Sequence, residues 1–188
     1  MLVLKVYKNI SKEVYINGST KDVDVANAFA VQFSSVYCSS DDAAEAKKEF
    51  EALLSGANND DFSKERLCEL INVESVDRCM QNLKLGKALG PDDLNAEHLR
   101  YAHPAIAFHK CALFRSILLH GYVPKDFGSG IVIPLIKDKT GDVKNVNNYR
   151  GITLIPVISK LFESVLLEIC EQYLSCDELQ FGFNKGVE

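Results

Sequence analysis

The sequence has little of what marks membrane proteins, zinc-bound modules or disordered chains. No apolar run approaches the roughly 20 residues that a helix needs to cross a bilayer, and no signal peptide follows Met1. The six cysteines include no CxxC pair and no spacing to a histidine that is typical of zinc ligation, so we expect buried free thiols instead of zinc ligands. Glycine and proline, 11 and 5 in 188 residues, are too sparse for low complexity. These absences predict a protein of a reducing intracellular compartment, nucleus or cytoplasm, with no membrane partner.

The chain also lacks the net positive charge that is typical of proteins that bind nucleic acid. Its formal net charge is −5. Residues 1–75 contain 8 Lys and Arg against 13 Asp and Glu, whereas residues 76–188 contain 13 of each, so the acidity belongs to the first part. One stretch of the second part is locally basic, with the cations Lys137, Lys139, Lys144, Arg150 and Lys160 against the carboxylates Asp138 and Asp142. That stretch is the best candidate to face phosphates.

Composition and hydrophobic spacing predict a folded α+β chain. With 47% hydrophobic and 25% charged residues, it can bury the core of one domain, or of a small module plus part of another. Apolar residues three and four apart predict helices at about 25–36, 42–54, 72–86, 95–99, 106–118 and 161–173. Asp42, Asn72 and Asn95 are the expected N-terminal caps of three of them, and Gly121 is expected to close the 106–118 helix. β-favouring runs predict a weak hairpin over residues 2–17 and an antiparallel pair of strands, 131–136 and 149–155, around a basic loop. The expected class is therefore mostly helical α+β with a small antiparallel hairpin.

An ordered series of short motifs carries the functional prediction. The motifs are KALGPD (87–92), GYVP (121–124), IPLIK (133–137), NYRGITL (148–154), Ser159-Lys160, Glu163 and QFGF (180–183). Their order and spacing resemble LINE-type (non-LTR) retrotransposon reverse transcriptases over roughly residues 75–186. The resemblance implies a linker or pre-polymerase region at 1–60, a helical finger extension at 61–128, and reverse transcriptase fingers with the start of the palm at 129–188.

Two cations of the predicted hairpin are the candidate nucleotide-binding residues. On the residues alone, we expect a solvated Lys137 and a surface ion pair between Arg150 and Asp138 or Asp142. The resemblance implies instead that Lys137 and Arg150 contact the triphosphate of an incoming dNTP. Arg suits this role because its planar fork donates two hydrogen bonds to phosphate oxygens, while Lys supplies a compact charge. The interpretation requires the two side chains to lie side by side on neighbouring extended segments.

Further residues are candidates for contact with a nucleic-acid template. Lys84, Lys87 and Lys160 could meet backbone phosphates, each weakly and in a salt-dependent way, although cations at helix ends are more often simply solvated. Gln180 and Gly182 belong to a Gly-Phe turn that the resemblance places near the template, where glycine lets the backbone approach nucleic acid closely. The alternative for these two is an ordinary turn after a helix.

No catalytic or metal-binding residue is predicted within the 188 residues. Polymerases use two metal ions held by carboxylates, and the resemblance implies that these come from an Asp shortly after the Gly-Phe turn and from a Tyr-x-Asp-Asp hairpin. Neither occurs here, so we predict no activity from this chain alone, and Mg²⁺ is expected only for the full-length family enzyme. Asp92-Asp93 follows Gly-Pro and is interpreted as a structural turn. Asp93 stands where the family usually has Gly, which predicts strain, and Asn184 stands where a basic residue is usual.

The sequence therefore predicts a fragment of an RNA-directed DNA polymerase whose partners are an RNA template, a DNA primer and a dNTP. One alternative is a nonenzymatic nucleic-acid or protein binding module derived from a decayed element, and another is a relic with no selected role. Because the palm would normally cover the fingers, the face made by Phe162, Leu166 and Tyr173 is predicted to stay exposed and to promote self-association.

Overall fold

The computed structural model describes residues 15–16, 18–37, 48, 68–138 and 140–171. The elements in chain order are helices α1 (Asp22–Tyr37), α2 (Val73–Asn82), α3 (Ala96–Arg100) and α4 (Ala105–His120), a 3₁₀ helix (Lys125–Gly128), strand β1 (Ile131–Ile136), a second 3₁₀ helix (Val146–Asn148), strand β2 (Tyr149–Leu154) and helix α5 (Val157–Cys170). Helices and one antiparallel pair of strands thus confirm the predicted α+β class.

Two predicted elements fall largely outside the described residues. Of the hairpin expected over residues 2–17, only Tyr15 and Ile16 are described, and Ile16 forms an isolated antiparallel bridge with Ser19. Gly18 lies in the turn between them with a φ of 85°, a left-handed conformation that glycine adopts without a steric penalty. The helix expected over 42–54 lies outside the described residues apart from Lys48.

The helix boundaries follow from capping residues that are visible in the sequence. Asn72 and Asn95 each accept a hydrogen bond from the backbone N–H three residues later, at 2.8 and 3.0 Å, and so cap α2 and α3. Ser75 and His98 complete the two capping boxes by accepting from the N–H of the cap residue. Gly121 ends α4 in the left-handed conformation, with a φ of 61°.

The larger of the two hydrophobic cores found among the described residues joins α2, α3, α4 and α5. Its fully buried members include Val76 of α2, Phe114 of α4, and Leu161 and Val165 of α5. The ring of Phe162 contacts Phe114 and Phe127, with centroid separations of 5.0 and 6.1 Å. This core includes contacts to Phe127 of the 3₁₀ helix that directly precedes β1.

The prediction of an exposed face around Phe162 was wrong for that residue. Phe162 is buried because α4 and the 3₁₀ helix Lys125–Gly128 supply the apolar partners that the sequence interpretation had assigned to a palm. Leu166 is half-buried against the same core. Tyr173 lies outside the described residues.

The second core packs α1 against one face of the hairpin. Phe29 of α1 meets the ring of Tyr149 edge to face at 4.9 Å and stacks on Phe33 at 5.8 Å. Val25 and Val132 are buried in the same cluster. A helix from the segment predicted as a linker therefore supports the hairpin.

The two strands pair in a regular antiparallel register. Ile131 lies opposite Leu154 and Ile136 opposite Tyr149, without a bulge. Pro134 of β1 lies opposite Gly151 of β2. The position is tolerated because each strand of a two-stranded sheet has an open edge, where a missing N–H leaves no bond unmade.

Candidate nucleotide and nucleic-acid interface

The β1–β2 hairpin brings Lys137 and Arg150 onto one face. Arg150 lies opposite Leu135, and the pairing continues one residue beyond β1 because the Lys137 N–H donates to the Asn148 carbonyl at 2.8 Å. Cross-strand partners share a sheet face, as do residues two apart along a strand. Lys137 and Arg150 are therefore diagonal neighbours, which typically lie about 7–8 Å apart between Cα atoms.

The opposite face of the hairpin is the one that α1 covers. Tyr149, Val132 and Ile136 alternate with the two cations along the strands and belong to the α1 core. Burial raises the pKa of the Tyr149 hydroxyl, which donates to the Val143 carbonyl at 2.9 Å. The cationic face remains open, with Leu135 and Ile152 exposed beside Arg150.

The carboxylates near the hairpin tip are engaged in local turns and do not pair with Arg150. Asp138 accepts from the Thr140 hydroxyl at 2.7 Å and from its N–H at 2.8 Å, and these bonds hold the pKa of Asp138 below its usual range. Asp142 accepts from the Lys144 N–H at 2.9 Å. Within the described residues, the Arg150 side chain has no ion pair or hydrogen bond. Its guanidinium is therefore available to an external anion.

Lys137 is held in place by the loop that precedes β2. Its ammonium donates to the Asn147 carbonyl at 3.0 Å. The Asn147 side chain accepts at 2.7 Å from the amide of Gln32, which lies 115 residues earlier on α1. A cleft of about 310 Å³ is bordered by residues of α1 and of the hairpin, namely Gln32, Phe33, Val36, Lys137, Asn147, Tyr149, Arg150 and Gly151. Neither Gln32 nor Asn147 was predicted as a functional residue, since neither belongs to a motif or to a periodic pattern.

The three lysines predicted to meet template phosphates line a second cleft. Lys84 and Lys87 follow α2, Lys160 lies in the first turn of α5, and all three border a cleft of about 380 Å³. Glu97 of α3 fixes the loop between the first two lysines by accepting from the Gly86 N–H at 2.6 Å, and this bond lowers the pKa of Glu97. The fold thus gathers cations that lie 76 residues apart in the sequence.

The Gly-Pro-Asp-Asp turn borders that second cleft through Gly90. Asp93 has a φ of 54° and is the described non-glycine residue in the left-handed region, as expected for a position where glycine is usual. Asp92 accepts from the Leu94 N–H at 3.4 Å, a bond within the turn. The pair lies in a loop and not on a strand hairpin, which agrees with a structural role.

The other site predictions concern metals, membranes and the Gly-Phe turn. Among residues 68–138, 140–171 and the described part of 15–48, no group of three or more His, Cys, Asp or Glu is placed to hold a metal ion. No helix in the described part is long and apolar enough to cross a membrane. Gln180, Gly182 and Asn184 lie outside the described residues.

Sequence comparison finds relatives among mobile genetic elements. A 115 kDa protein of the type-1 retrotransposable element R1DM of Drosophila melanogaster is 31% identical over 118 residues, which are 62% of this chain and 12% of that protein. The RNA-directed DNA polymerase from the mobile element jockey of the same species is 30% identical over 121 residues, 60% of this chain and 13% of the relative. A Pol polyprotein from the R1 element of Bradysia coprophila is 25% identical over 119 residues, 62% of this chain and 12% of the polyprotein.

This chain is similar to non-LTR retrotransposon proteins. The resemblance inferred from the motifs is thereby confirmed, and it extends to RNA-directed DNA polymerases. No protein-family model matches the chain. The chain spans about an eighth of the length of the retrotransposon proteins that it matches.

Proposed function

We propose that this chain forms the finger part of a non-LTR retrotransposon reverse transcriptase and that Lys137 and Arg150 hold the triphosphate of the incoming dNTP. The observation that carries the proposal is their juxtaposition on one open face of the hairpin. The similarity to the jockey polymerase supplies the reaction class, RNA-directed DNA synthesis.

The chemistry of the two side chains fits a polyphosphate. Arg150 has no hydrogen-bond or ion-pair partner for its side chain among the described residues, and a guanidinium binds two oxygens of a phosphate in a planar fork. Lys137 has one of its three ammonium donors on the Asn147 carbonyl, so two remain for the ligand. Because both cations are exposed, the ligand enters without displacing a buried ion pair.

The second cleft is the proposed path of the nucleic-acid backbone. Lys84, Lys87 and Lys160 converge there from two elements and provide three positive charges for template phosphates. Gln180 and Gly182 are proposed to lie near the same template strand. These contacts read no sequence, so we expect binding that tolerates any base but weakens with salt.

Under this proposal, the hairpin cations contact the nucleotide and the cleft lysines contact the template, while carboxylates outside these two groups carry out catalysis. It divides the chain into a pre-polymerase region (1–60), a finger extension (61–128) and fingers with the start of the palm (129–188). The 188-residue chain alone is then inactive, and Mg²⁺ serves the longer enzyme. Its partners are an RNA template, a DNA primer and a dNTP, met in the nucleus and cytoplasm.

Binding of inorganic tripolyphosphate to the purified chain tests the nucleotide site. Calorimetry should show that Lys137→Ala and Arg150→Ala each weaken binding about tenfold or more, since each removes charged hydrogen bonds. Lys125→Ala, which removes an exposed cation of the neighbouring 3₁₀ helix, is the matched control and should bind as the wild type does. Equal affinities in all four proteins would refute the assignment. Primer extension by the chain alone would refute its predicted inactivity.

A second candidate function is favoured by the lysine cleft alone. A nonenzymatic module derived from a decayed element would bind RNA through Lys84, Lys87 and Lys160 without a nucleotide site. In that case, single-stranded RNA binding would fall steeply with salt and with the Lys87→Ala and Lys160→Ala changes, while tripolyphosphate binding would be absent. Self-association is expected for either candidate function. Sizing chromatography measures it, and a clean monomer would contradict the expectation.

A further inference from the structure

We infer that Gln32 of α1 is a positioning residue that sets the ammonium of Lys137 for its phosphate ligand. The inference rests on the proposed nucleotide function and adds a part of the chain that no motif marks. Its basis is a continuous chain of bonds from α1 to the cation. The Gln32 amide donates to the Asn147 side chain at 2.7 Å, and the Asn147 carbonyl accepts from the Lys137 ammonium at 3.0 Å.

Asn147 is suited to transmit position because its backbone N–H, its backbone carbonyl and its side-chain oxygen each take part in a hydrogen bond. Its N–H donates to the Asn145 side chain at 2.9 Å, in addition to the bonds to Gln32 and Lys137. Without Gln32, Asn147 would keep only its local bond to Asn145 and the bond from the Lys137 ammonium. A residue that is held by three hydrogen bonds keeps its carbonyl acceptor in a fixed position, whereas a loop residue that is held by one bond moves with the loop.

The anchor itself is rigid because α1 is fixed by its apolar face. Phe33, adjacent to Gln32, is 6% exposed, and Phe29 one turn earlier is 2% exposed against Tyr149. Gln32 therefore projects from a helix that is packed onto the hairpin whose tip it holds. The same cleft is bordered by Gln32, Lys137 and Arg150, so the anchor and both cations share one volume.

Positioning predicts a specific dependence among substitutions. An ammonium that is already held in place binds its ligand more tightly than one that must first be ordered. The affinity increases by the same factor as the population of the position that can bind the ligand. Loss of one hydrogen bond corresponds to about a three- to tenfold weaker affinity. This loss should occur only while Lys137 is present to be positioned.

The experiment is a double-mutant cycle on the full 188-residue chain, with inorganic tripolyphosphate as the probe and calorimetry as the readout. Gln32→Ala should weaken binding about three- to tenfold in the wild-type and Arg150→Ala backgrounds, and should have no effect in the Lys137→Ala background. Asn27→Ala, an exposed polar residue of the same helix, is the matched control and should bind normally. Amide exchange at the hairpin tip should speed up in Gln32→Ala and not in Asn27→Ala.

The outcomes separate the inference from the function on which it rests. If Lys137→Ala leaves tripolyphosphate binding unchanged, the nucleotide assignment fails. If Lys137→Ala weakens binding and Gln32→Ala does not, only the positioning role fails. If Gln32→Ala costs the same with and without Lys137, then Gln32 contacts the ligand directly, and the positioning role is overturned.

Discussion

Gly90 lies so close to Ile155 that a Cβ atom at position 90 would be 2.7 Å from the Ile155 carbonyl oxygen and 2.9 Å from its carbon. The contact is between backbone atoms of the Gly-Pro-Asp-Asp turn and of the segment between β2 and α5. It joins the loop that carries Lys87 to the helix that carries Lys160. A motif glycine of this chain is therefore explained by packing, and the same packing shapes the lysine cleft.

We predict that Gly90→Ala destabilises the chain by about 1–3 kcal/mol, because backbone atoms must shift to admit a methyl group. The measurement is the midpoint of urea unfolding followed by circular dichroism. Gly128→Ala is the matched control, since nothing lies within 4 Å of a Cβ at that position, and it should change the stability little. An unchanged midpoint for Gly90→Ala would mean that the turn does not pack on Ile155 in solution.

Asp93 offers the opposite prediction, a stabilising change. Its backbone φ of 54° costs conformational free energy in a residue that has a Cβ atom, whereas glycine adopts this angle without that cost. Asp93→Gly should therefore raise the free energy of unfolding by up to about 1 kcal/mol, whereas the β-branched substitution Asp93→Val should lower it. Thermal melting of the three proteins gives the order, and a wild type more stable than Asp93→Gly would contradict it.

Much of the fold could be predicted because its signals are local. Asn72, Asn95 and Gly121 mark helix ends through bonds to residues a few positions away, and these ends were predicted correctly. The strands and their antiparallel pairing followed from branched residues on both sides of a polar loop. The 3₁₀ helices were not predicted because each is a single turn, too short for any periodicity to appear.

The candidate site could be predicted only where a resemblance supplied the roles. Lys137 and Arg150 were expected on neighbouring strands, and the register places them there. The burial of Phe162 was missed because its partners, Phe114 and Phe127, are 48 and 35 residues away, and no local pattern reports that contact. Gln32 was missed for the same reason, with 115 residues to its partner.

The packing of α1 on the hairpin is testable by truncating its central ring. Phe29→Ala should lower the free energy of unfolding by about 3–5 kcal/mol, because a ring that is 2% exposed and in contact with Tyr149 leaves a cavity. Val23→Ala, at a position 70% exposed on the same helix, should have little effect. Equal stability of the two variants would show that α1 is detached from the hairpin in solution.

Cys79 predicts a loss of stability at high pH. Burial, and then the hydrogen bond from its thiol to Glu168 at 3.3 Å, raise the pKa of Cys79 from 9.0 to about 11. A group whose pKa is raised by folding stabilises the folded state below its unfolded pKa, and this contribution disappears as the pH rises through the folded value. The stabilising contribution should therefore be complete below about pH 9 and decline towards about pH 11.

Urea unfolding of the wild type and Cys79→Ala at several pH values between 8 and 11 isolates this effect from the titration of other groups. The substitution removes the thiol and leaves a cavity whose cost does not depend on pH, so the difference between the two proteins should shrink as the pH rises. A difference that stays constant over the whole range would mean that Cys79 has the same pKa in the folded and unfolded chains. The thiol would then be neither buried between α2 and α5 nor bonded to Glu168, and the packing of these two helices would need revision.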